Sequence, residues 1–359
     1  MFHPKYSISN QILKHISTIE AAREMIDNAP LIPAWEKRFA QDAVVRTVHF
    51  GTHLEGNPLE FEEVRRVIEG KEVLAKERDI QEIINYRRVV DFINEEAVKL
   101  LKNSEDDVNN KPVYSLNQLS TIHRFTVERI LDALSAGQLR KSRVVIKSSR
   151  TGEVTFRPPP PIEIPFQLEE FFQWLNSDEG GQVHSVLRSG IAHYELVRIH
   201  PFVDGNGRVA RAYSTFILYC EGYDINRFFS LEEHFDKEAN SYYGFLQKTS
   251  SGDGNFTDWL EYFTQSLAIE FTRVKNKILE LSSDYEFKNR LGRQIVISER
   301  QEKLIRYMKR HDALLVRHAK KKILPDVSED TILRELNDLI KKCIAKKVGR
   351  TKGAVYSLK

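Results

Sequence analysis

The chain has 359 residues, 41% of them apolar and 29% charged, with two cysteines and a formal charge of +3. Such a composition fits a soluble globular protein of two or three packed units, and it excludes a disulfide-stapled scaffold and a low-complexity chain. The small net charge hides an asymmetry: residues 295–359 carry 17 Lys and Arg against 8 Asp and Glu, and the rest of the chain is net acidic, which suggests two modules with different partners.

Cys220 and Cys343 lie in stretches with helical patterning, so they read as reduced thiols of a cytoplasmic protein. The first residues, Met1 to Tyr6, lack the charged-then-apolar pattern of a secretion signal, and no apolar run reaches the length of a membrane span. A membrane partner is therefore not expected.

In chain order, residues 34–54 place Phe39, Val44 and Val48 near helical spacing and stop before Gly56. Helical patterning returns over 60–68 and 81–102, and the polar stretch 103–111, with Asn109-Asn110, reads as a loop. Another amphipathic helix is expected over 116–134, ending before Gly137. The period then changes. Val144-Val145-Ile146 and Val154-Thr155-Phe156 flank Ser148-Ser149-Arg150-Thr151-Gly152, a β-hairpin pattern. Four prolines, Pro158 to Pro161, force an extended exit.

Helices are expected again over 166–175 and 184–199, and after the loop that follows, to about Cys220; 242–248, 257–267 and 269–281 complete the body. The charged stretch 282–294 reads as a linker. Beyond it, 298–309 and 328–341 are helical, the latter with Ser328 as N-cap and Ile332, Leu333, Leu336, Leu339 and Ile340 on one face. Two short strands are expected within 346–358. Two helices and a hairpin in a small basic unit suggest a winged helix-turn-helix over 295–359.

The chemistry concentrates in His200-Pro201-Phe202-Val203-Asp204-Gly205-Asn206-Gly207-Arg208-Val209-Ala210-Arg211. Pro201 ends the preceding helix and leaves His200 at its tip. An imidazole is suited to taking a proton from a hydroxyl near neutral pH. Asp204 is a hard oxygen ligand of the kind Mg²⁺ takes alongside substrate phosphates. Gly205 and Gly207 allow a phosphate to approach the backbone, and the next helix begins there, with its free N–H groups aimed at the loop. Arg208 and Arg211, three residues apart, add two guanidinium forks suited to a polyphosphate. Nothing here supplies a covalent nucleophile, so the attacking group comes from outside.

This stretch resembles the Fic family motif HPFx(D/E)GNGRxxR at every fixed position, and the resemblance runs from about residue 31 to 267. It includes the hairpin as the family's flap, the Gly137-x-x-Arg140 element and the Trp174-Leu175-Asn176 element. The resemblance implies a mainly α fold, a helical bundle with a β-hairpin flap, here followed by the small winged helix. It divides the chain into an N-terminal helical region 1–112, a catalytic core 113–281, the linker 282–294 and the unit 295–359. The implied activity is transfer of AMP from ATP to a Ser, Thr or Tyr hydroxyl of a target protein or of the chain itself, with release of pyrophosphate. Carried over by position, His200 is the general base and Asp204 holds Mg²⁺ or Mn²⁺. Gly205, Asn206 and Gly207 bind the α-phosphate region, and Arg208 and Arg211 the outer phosphates. Val154, Thr155 and Phe156 line the target strand and nucleotide, Tyr242 and Tyr243 lie near adenine, and Ser250 stands where some relatives have Asn.

Thr52-His53-Leu54-Glu55-Gly56-Asn57 resembles a second family element, the inhibitory helix (S/T)xxxE(G/N), here within residues 34–57. By that resemblance Glu55 pairs with Arg211 and denies it to a γ-phosphate. The position four before Glu55 is Gly51 rather than Ser or Thr. Two other readings stay open: Glu55-dependent removal of AMP, and a nucleotide-sensing regulator that binds DNA through its C-terminal unit. A homodimer also stays open. His49 and His53 have the i, i+4 spacing of a metal pair, but with no third ligand evident they read as packing and solvated side chains.

Overall fold

The computed structural model describes residues 2–358 apart from 29–32, 106–111, 148–153, 224–227, 252–253, 291–296, 312, 343 and 350–353. Cys343, the first expected hairpin turn at 148–152 and residues 350–353 of the second lie outside the described residues. The chain forms two compact units, Met1–Leu279 and Glu280–Lys359. Residues 1–112 and 113–279 fall within the same unit.

The first unit is helical. Helices α1 (Asn10–Asp27), α2 (Pro33–His53), α3 (Phe61–Ile68), α4 (Glu77–Glu105) and α5 (Leu116–Val127) precede a two-stranded hairpin of β1 (Ile146–Lys147) and β2 (Val154–Phe156). Then come α6 (Ile164–Leu175), α7 (Asp178–Gln182), α8 (Ser185–Ile199), α9 (Asn206–Cys220), α10 (Leu231–Lys237), α11 (Ala239–Ser251) and α12 (Thr257–Arg290), whose residues from Glu280 onward are counted with the second unit. In the hairpin Ile146 faces Phe156 and Lys147 faces Val154, antiparallel. Three helices add to the expected set: the five-residue α7, and α1 and α10. The inward positions of α1, Ile12, Ile19, Ala22 and Ile26, are diluted by polar residues, and α10 spans only two turns, so neither carries a strong periodic signal.

Helix α9 is the axis of the unit. Fourteen of its fifteen residues are buried, and it packs against α8, α4 and α5. A helix enclosed on all sides must be apolar around most of its circumference, and α9 meets this with Val209, Ala212, Tyr213, Phe216, Ile217 and Leu218. Each fully buried large side chain of this kind contributes roughly 1.5–3 kcal/mol. Of its buried polar residues, Asn206, Arg208 and Arg211 sit in the first two turns, where the site lies, and Ser214 and Thr215 follow them.

Helix α5 is shorter than the pattern over 116–134 suggests. It starts on a capping box formed by Ser115 and Gln118 and ends at Val127. The Asn85 side chain on α4 donates to the carbonyls of Thr126 (3.3 Å) and Glu128 (2.7 Å), taking acceptors that a continuing helix would use, and Arg129 turns to φ 59°. The stretch expected as an open linker also differs: α12 is continuous as far as Arg290.

In the second unit α13 (Glu299–His311) leads to β3 (Leu314–Leu315), the short α14 (Val316–His318) with a π-helical turn at Ala319–Ile323, α15 (Glu329–Lys341), β4 (Ala345–Val348) and β5 (Val355–Leu358). The antiparallel sheet has the order β3-β5-β4. Its core is Leu304, Met308, Leu314, Ile332, Leu336, Leu339 and Tyr356. Ser328 caps α15 as expected. Two acidic residues of α15 bond to the start of α13: Glu335 accepts from the hydroxyl of Ser298, just ahead of that helix (3.1 Å), and Asp338 from the Gln301 amide (2.7 Å). Among the described residues, no helix is long and apolar enough to cross a membrane.

Candidate active site

The site forms where the C-terminal end of α8 meets the N-terminal end of α9. His200 closes α8 in the left-handed conformation (φ 51°, ψ 59°), its N–H on the Leu196 carbonyl. For a non-glycine residue that costs on the order of 1–3 kcal/mol and persists only when the surroundings enforce it. Arg140 does so. This buried side chain donates from Nε to the His200 carbonyl (2.7 Å), from Nη1 to Ser142 O (3.0 Å) and from Nη2 to Pro159 O (2.6 Å). Its backbone N–H also donates to Pro201 O (2.9 Å). One guanidinium thus ties the histidine to both ends of the segment carrying the hairpin.

His200 Nδ1 lies 3.2 Å from the Val197 carbonyl. An acceptor there requires the proton on Nδ1 and leaves the Nε2 lone pair available. Burial pushes the His200 pKa below its ordinary value, with the Val197 carbonyl opposing. The ring is therefore a neutral base at neutral pH.

The loop from Pro201 to Gly205 hangs from Phe202, which is fully buried. Asn206 closes it: its Oδ1 accepts from Phe202 N–H and its Nδ2 donates to Phe202 O, both at 2.9 Å. The resemblance assigns Asn206 to the α-phosphate, yet both its amide atoms are committed to the loop, so its own contribution to an anion comes from its backbone N–H. Gly205 has φ +76°, and a Cβ there would meet Val127 Cγ1 at 3.2 Å and Thr126 Cγ2 at 3.3 Å. As the N-cap of α9 it offers no side chain, so the first N–H groups of the helix face the loop uncapped, an anion site. Asp204 Oδ1 accepts the Gly205 N–H (2.6 Å).

Arg211 is 1% exposed. Its Nη2 donates to Glu55 Oε1 (2.8 Å) and to the Gly51 carbonyl (3.0 Å). Nη1 has no hydrogen-bond partner among the described residues and lies 3.2 Å from the point where a Gly207 Cβ would stand, with Glu55 Oε1 at 2.4 Å from the same point. Any side chain at residue 207 would collide with the carboxylate. Glu55 and Arg211 thus meet directly over the first turn of α9.

Arg208 is also buried. Its Nη1 faces Glu82 Oε1 of α4 at 3.7 Å, and Glu82 Oε2 accepts from Asn57 Nδ2 (3.0 Å). The Glu55-Gly56-Asn57 turn therefore reaches both arginines, one directly and one through Glu82. Gly56 takes φ +95°, and Asn57 also donates to Asp79 O (3.0 Å). Gly51 has a packing reason: a Cβ there would lie 2.3 Å from Tyr86 Cε1, so a serine or threonine does not fit.

The aromatic pair divides. Tyr242 is buried, its hydroxyl 3.1 Å from His193 Nε2, and burial pushes its pKa up to about 12; it is a core residue, closed to a purine. Tyr243 is half-exposed and donates to the Leu54 carbonyl (3.3 Å), bracing the Glu55 turn. Val154 is exposed on the hairpin, and the Thr155 side chain lies outside the described residues. Phe156 lines a cavity of about 520 Å³ with Tyr194, Arg198 and Ser250, and the Ser250 hydroxyl sits 3.0 Å from Tyr194 Oη. Asn176 binds both backbone groups of Tyr114 ahead of α5, at 2.8 Å each, a structural clamp. His53 pairs with Asp236 (2.7 Å), and His49 packs edge-on to Phe50 and Phe61. No group of three His, Cys, Asp or Glu suited to a metal occurs among the described residues. Sequence reasoning missed the roles of Glu82, Asn57 and His123. Only Asn57 lies within a quoted motif.

Residues 113–218 match the Fic/DOC family model. The chain is similar to proteins named protein adenylyltransferase Fic. It is 26% identical to that of Culex quinquefasciatus over 67% of this chain and 44% of the relative. It is 28% identical to that of Aedes aegypti over 60% of this chain and 39% of the relative. The chain thus spans less than half the length of these curated relatives. Among solved structures, a Fic family protein from Desulfovibrio desulfuricans G20 covers 100% of this chain and 98% of its own at a TM-score of 0.65 and 20% identity. A segment of Fic-1 from C. elegans covers 76% of this chain and 74% of its own at a TM-score of 0.58 and 22% identity. The segment that carries the His200–Arg211 loop is thus the part of the chain that matches the Fic/DOC family model, and the fold around it is the one seen in solved Fic family structures.

Proposed function

We propose that the chain is a protein adenylyltransferase that moves AMP from ATP to a Ser, Thr or Tyr hydroxyl of a protein, and that Glu55 holds it inactive. The observation that carries this reading is the pairing of a neutral His200, its Nε2 available, with an uncapped helix N-terminus whose Arg211 is occupied by a carboxylate. His200 takes the proton of the target hydroxyl, and the freed oxygen attacks the α-phosphorus while pyrophosphate leaves. The first N–H groups of α9 stabilise the charge that develops on the phosphoryl oxygens. Arg211 orients the outer phosphates when Glu55 is displaced; with Glu55 in place it cannot take a γ-phosphate on the same Nη2.

Asp204 suits Mg²⁺ or Mn²⁺. It is a partly exposed carboxylate beside the anion site, and such ions take one or two carboxylates together with substrate phosphates rather than a protein cage. When bound, the metal would offset the phosphate charge. We read the order of elements in the C-terminal unit as a winged helix-turn-helix. With Glu335 and Asp338 committed to α13, the acidity on α15 falls chiefly to Glu329 and Asp330 at its N-terminus.

The test uses ATP labelled in the α-phosphate. Glu55→Gly protein labels itself or a target, and adding His200→Gln abolishes labelling while nucleotide binding remains. Absence of label in Glu55→Gly with both Mg²⁺ and Mn²⁺ counts against the reading. Glu55-dependent release of AMP from a pre-labelled target would favour the reverse reaction.

A further inference from the structure

We propose that His123 is the positioning residue that shapes the phosphate-binding loop, fastening the Asp204–Gly205 peptide to helix α5 and to the Gly137 turn. The proposal rests on the reading of that loop as a nucleotide site. His123 is fully buried in α5. Its ring lies flat on Phe202, centroids 3.8 Å apart and planes within 3°. Nδ1 accepts the Gly137 N–H (2.9 Å), which leaves the proton on Nε2, and Nε2 donates to the Asp204 carbonyl (3.1 Å). Both ring nitrogens are used, each in one sense only.

The position of that carbonyl matters because a peptide is planar. The Asp204 C=O and the Gly205 N–H belong to one rigid plane and point in opposite directions. His123 holds the plane by its carbonyl, and the Asp204 carboxylate holds it by its N–H at 2.6 Å. If the plane rotates, the carboxylate loses its partner and the first N–H groups of α9 change direction. Thr126 and Val127, on the same helix, pack against Gly205. On the other side, Gly137 leads to Arg140, which holds the His200 carbonyl. His123 therefore joins the element that sets the base to the loop that sets the anion site.

The experiment uses the full chain carrying Glu55→Gly, with His123→Phe and His123→Gln added separately. Phenylalanine keeps a ring against Phe202 and removes both hydrogen bonds. Amide hydrogen exchange and the Kd for Mg-ATP are measured. In His123→Phe, exchange at Gly137 and at residues 204–207 accelerates while α8 and α12 are unchanged, and Kd rises about tenfold, the equivalent of one lost buried hydrogen bond. His123→Gln, which retains a donor and an acceptor, falls between the two. Should the phenylalanine variant fail to fold, local acceleration in His123→Gln confined to these two segments supports the proposal. Folded variants with unchanged loop exchange overturn it. If Glu55→Gly with His123 intact binds no nucleotide, the functional reading fails, and the exchange measurement still decides the role of His123.

Discussion

On the proposed function, replacing Glu55 by glycine exchanges stability for nucleotide affinity, and the size of each side is worked from the geometry. Arg211 keeps its charge at 1% exposure with Glu55 as its carboxylate partner at 2.8 Å. Removing one member of a fully buried ion pair costs about 3–5 kcal/mol, because the remaining charge is stranded. Glu55 is 29% exposed, and Arg211 retains the Gly51 carbonyl, so the loss is discounted to about 2 kcal/mol. For a unit of this size that lowers Tm by about 4–8 °C. A polyphosphate then finds the guanidinium free, and about 2 kcal/mol corresponds to a Kd for Mg-ATP roughly 30-fold lower. Thermal denaturation with and without Mg-ATP measures both terms: Glu55→Gly melts lower alone and is raised further by nucleotide than the parent. A variant with unchanged Tm and an unchanged nucleotide response would refute the reasoning, because Glu55 would then contribute nothing to the state of Arg211.

Gly51→Ser places a Cβ 2.3 Å from Tyr86 Cε1, and overpacking of that kind costs about 1–3 kcal/mol. The strain pushes the last turn of α2 outward, so on the proposed function AMP transfer rises above the parent and stays below Glu55→Gly; unchanged Tm and transfer would contradict this. His193 supplies a pH dependence. It is fully buried on Tyr242, Phe235 and Trp259, and burial, then the Arg211 charge, hold its pKa well below the ordinary value. The unfolded chain takes up this proton near pH 6.5 and the folded chain does not. Stability is therefore unaffected above about pH 6.5 and falls below it by about 1.4 kcal/mol per pH unit from this residue. Urea denaturation between pH 7 and 5 gives a shallower slope for His193→Gln, and an identical slope would exclude His193 as the source.

The helices around the site were legible because their apolar residues recur at the helical period, and α8 and α9 coincide with the expected limits to within a residue or so. The motif was legible because its residues are contiguous: a histidine before a proline, then a glycine-flanked loop, then arginines at the start of a helix. Element ends set by distant side chains were not legible. Nothing within residues 116–134 announces that Asn85, on another helix, ends α5 at Val127. The fate of Asn206 and Tyr242 was hidden for the same reason. Both residue types suit a ligand site, and only packing shows that one amide is consumed by the loop and one ring by the core.

Sequence alone determined the inventory: a mainly helical body, a hairpin, a basic C-terminal unit, and one loop carrying a base, a carboxylate, glycines and two guanidinium groups. These follow from local period, turn chemistry and residue type, which need no long-range information. Tertiary structure decided which of those groups are available. Arg211 lies 156 residues from Glu55 in the chain and 2.8 Å from it in space. Arg140 holds His200 from 60 residues away, and His123 reaches Asp204 across 81. Contacts at such separations depend on how helices pack, and packing is settled by shape and hydrogen-bond geometry summed over the whole unit rather than by any one stretch of sequence.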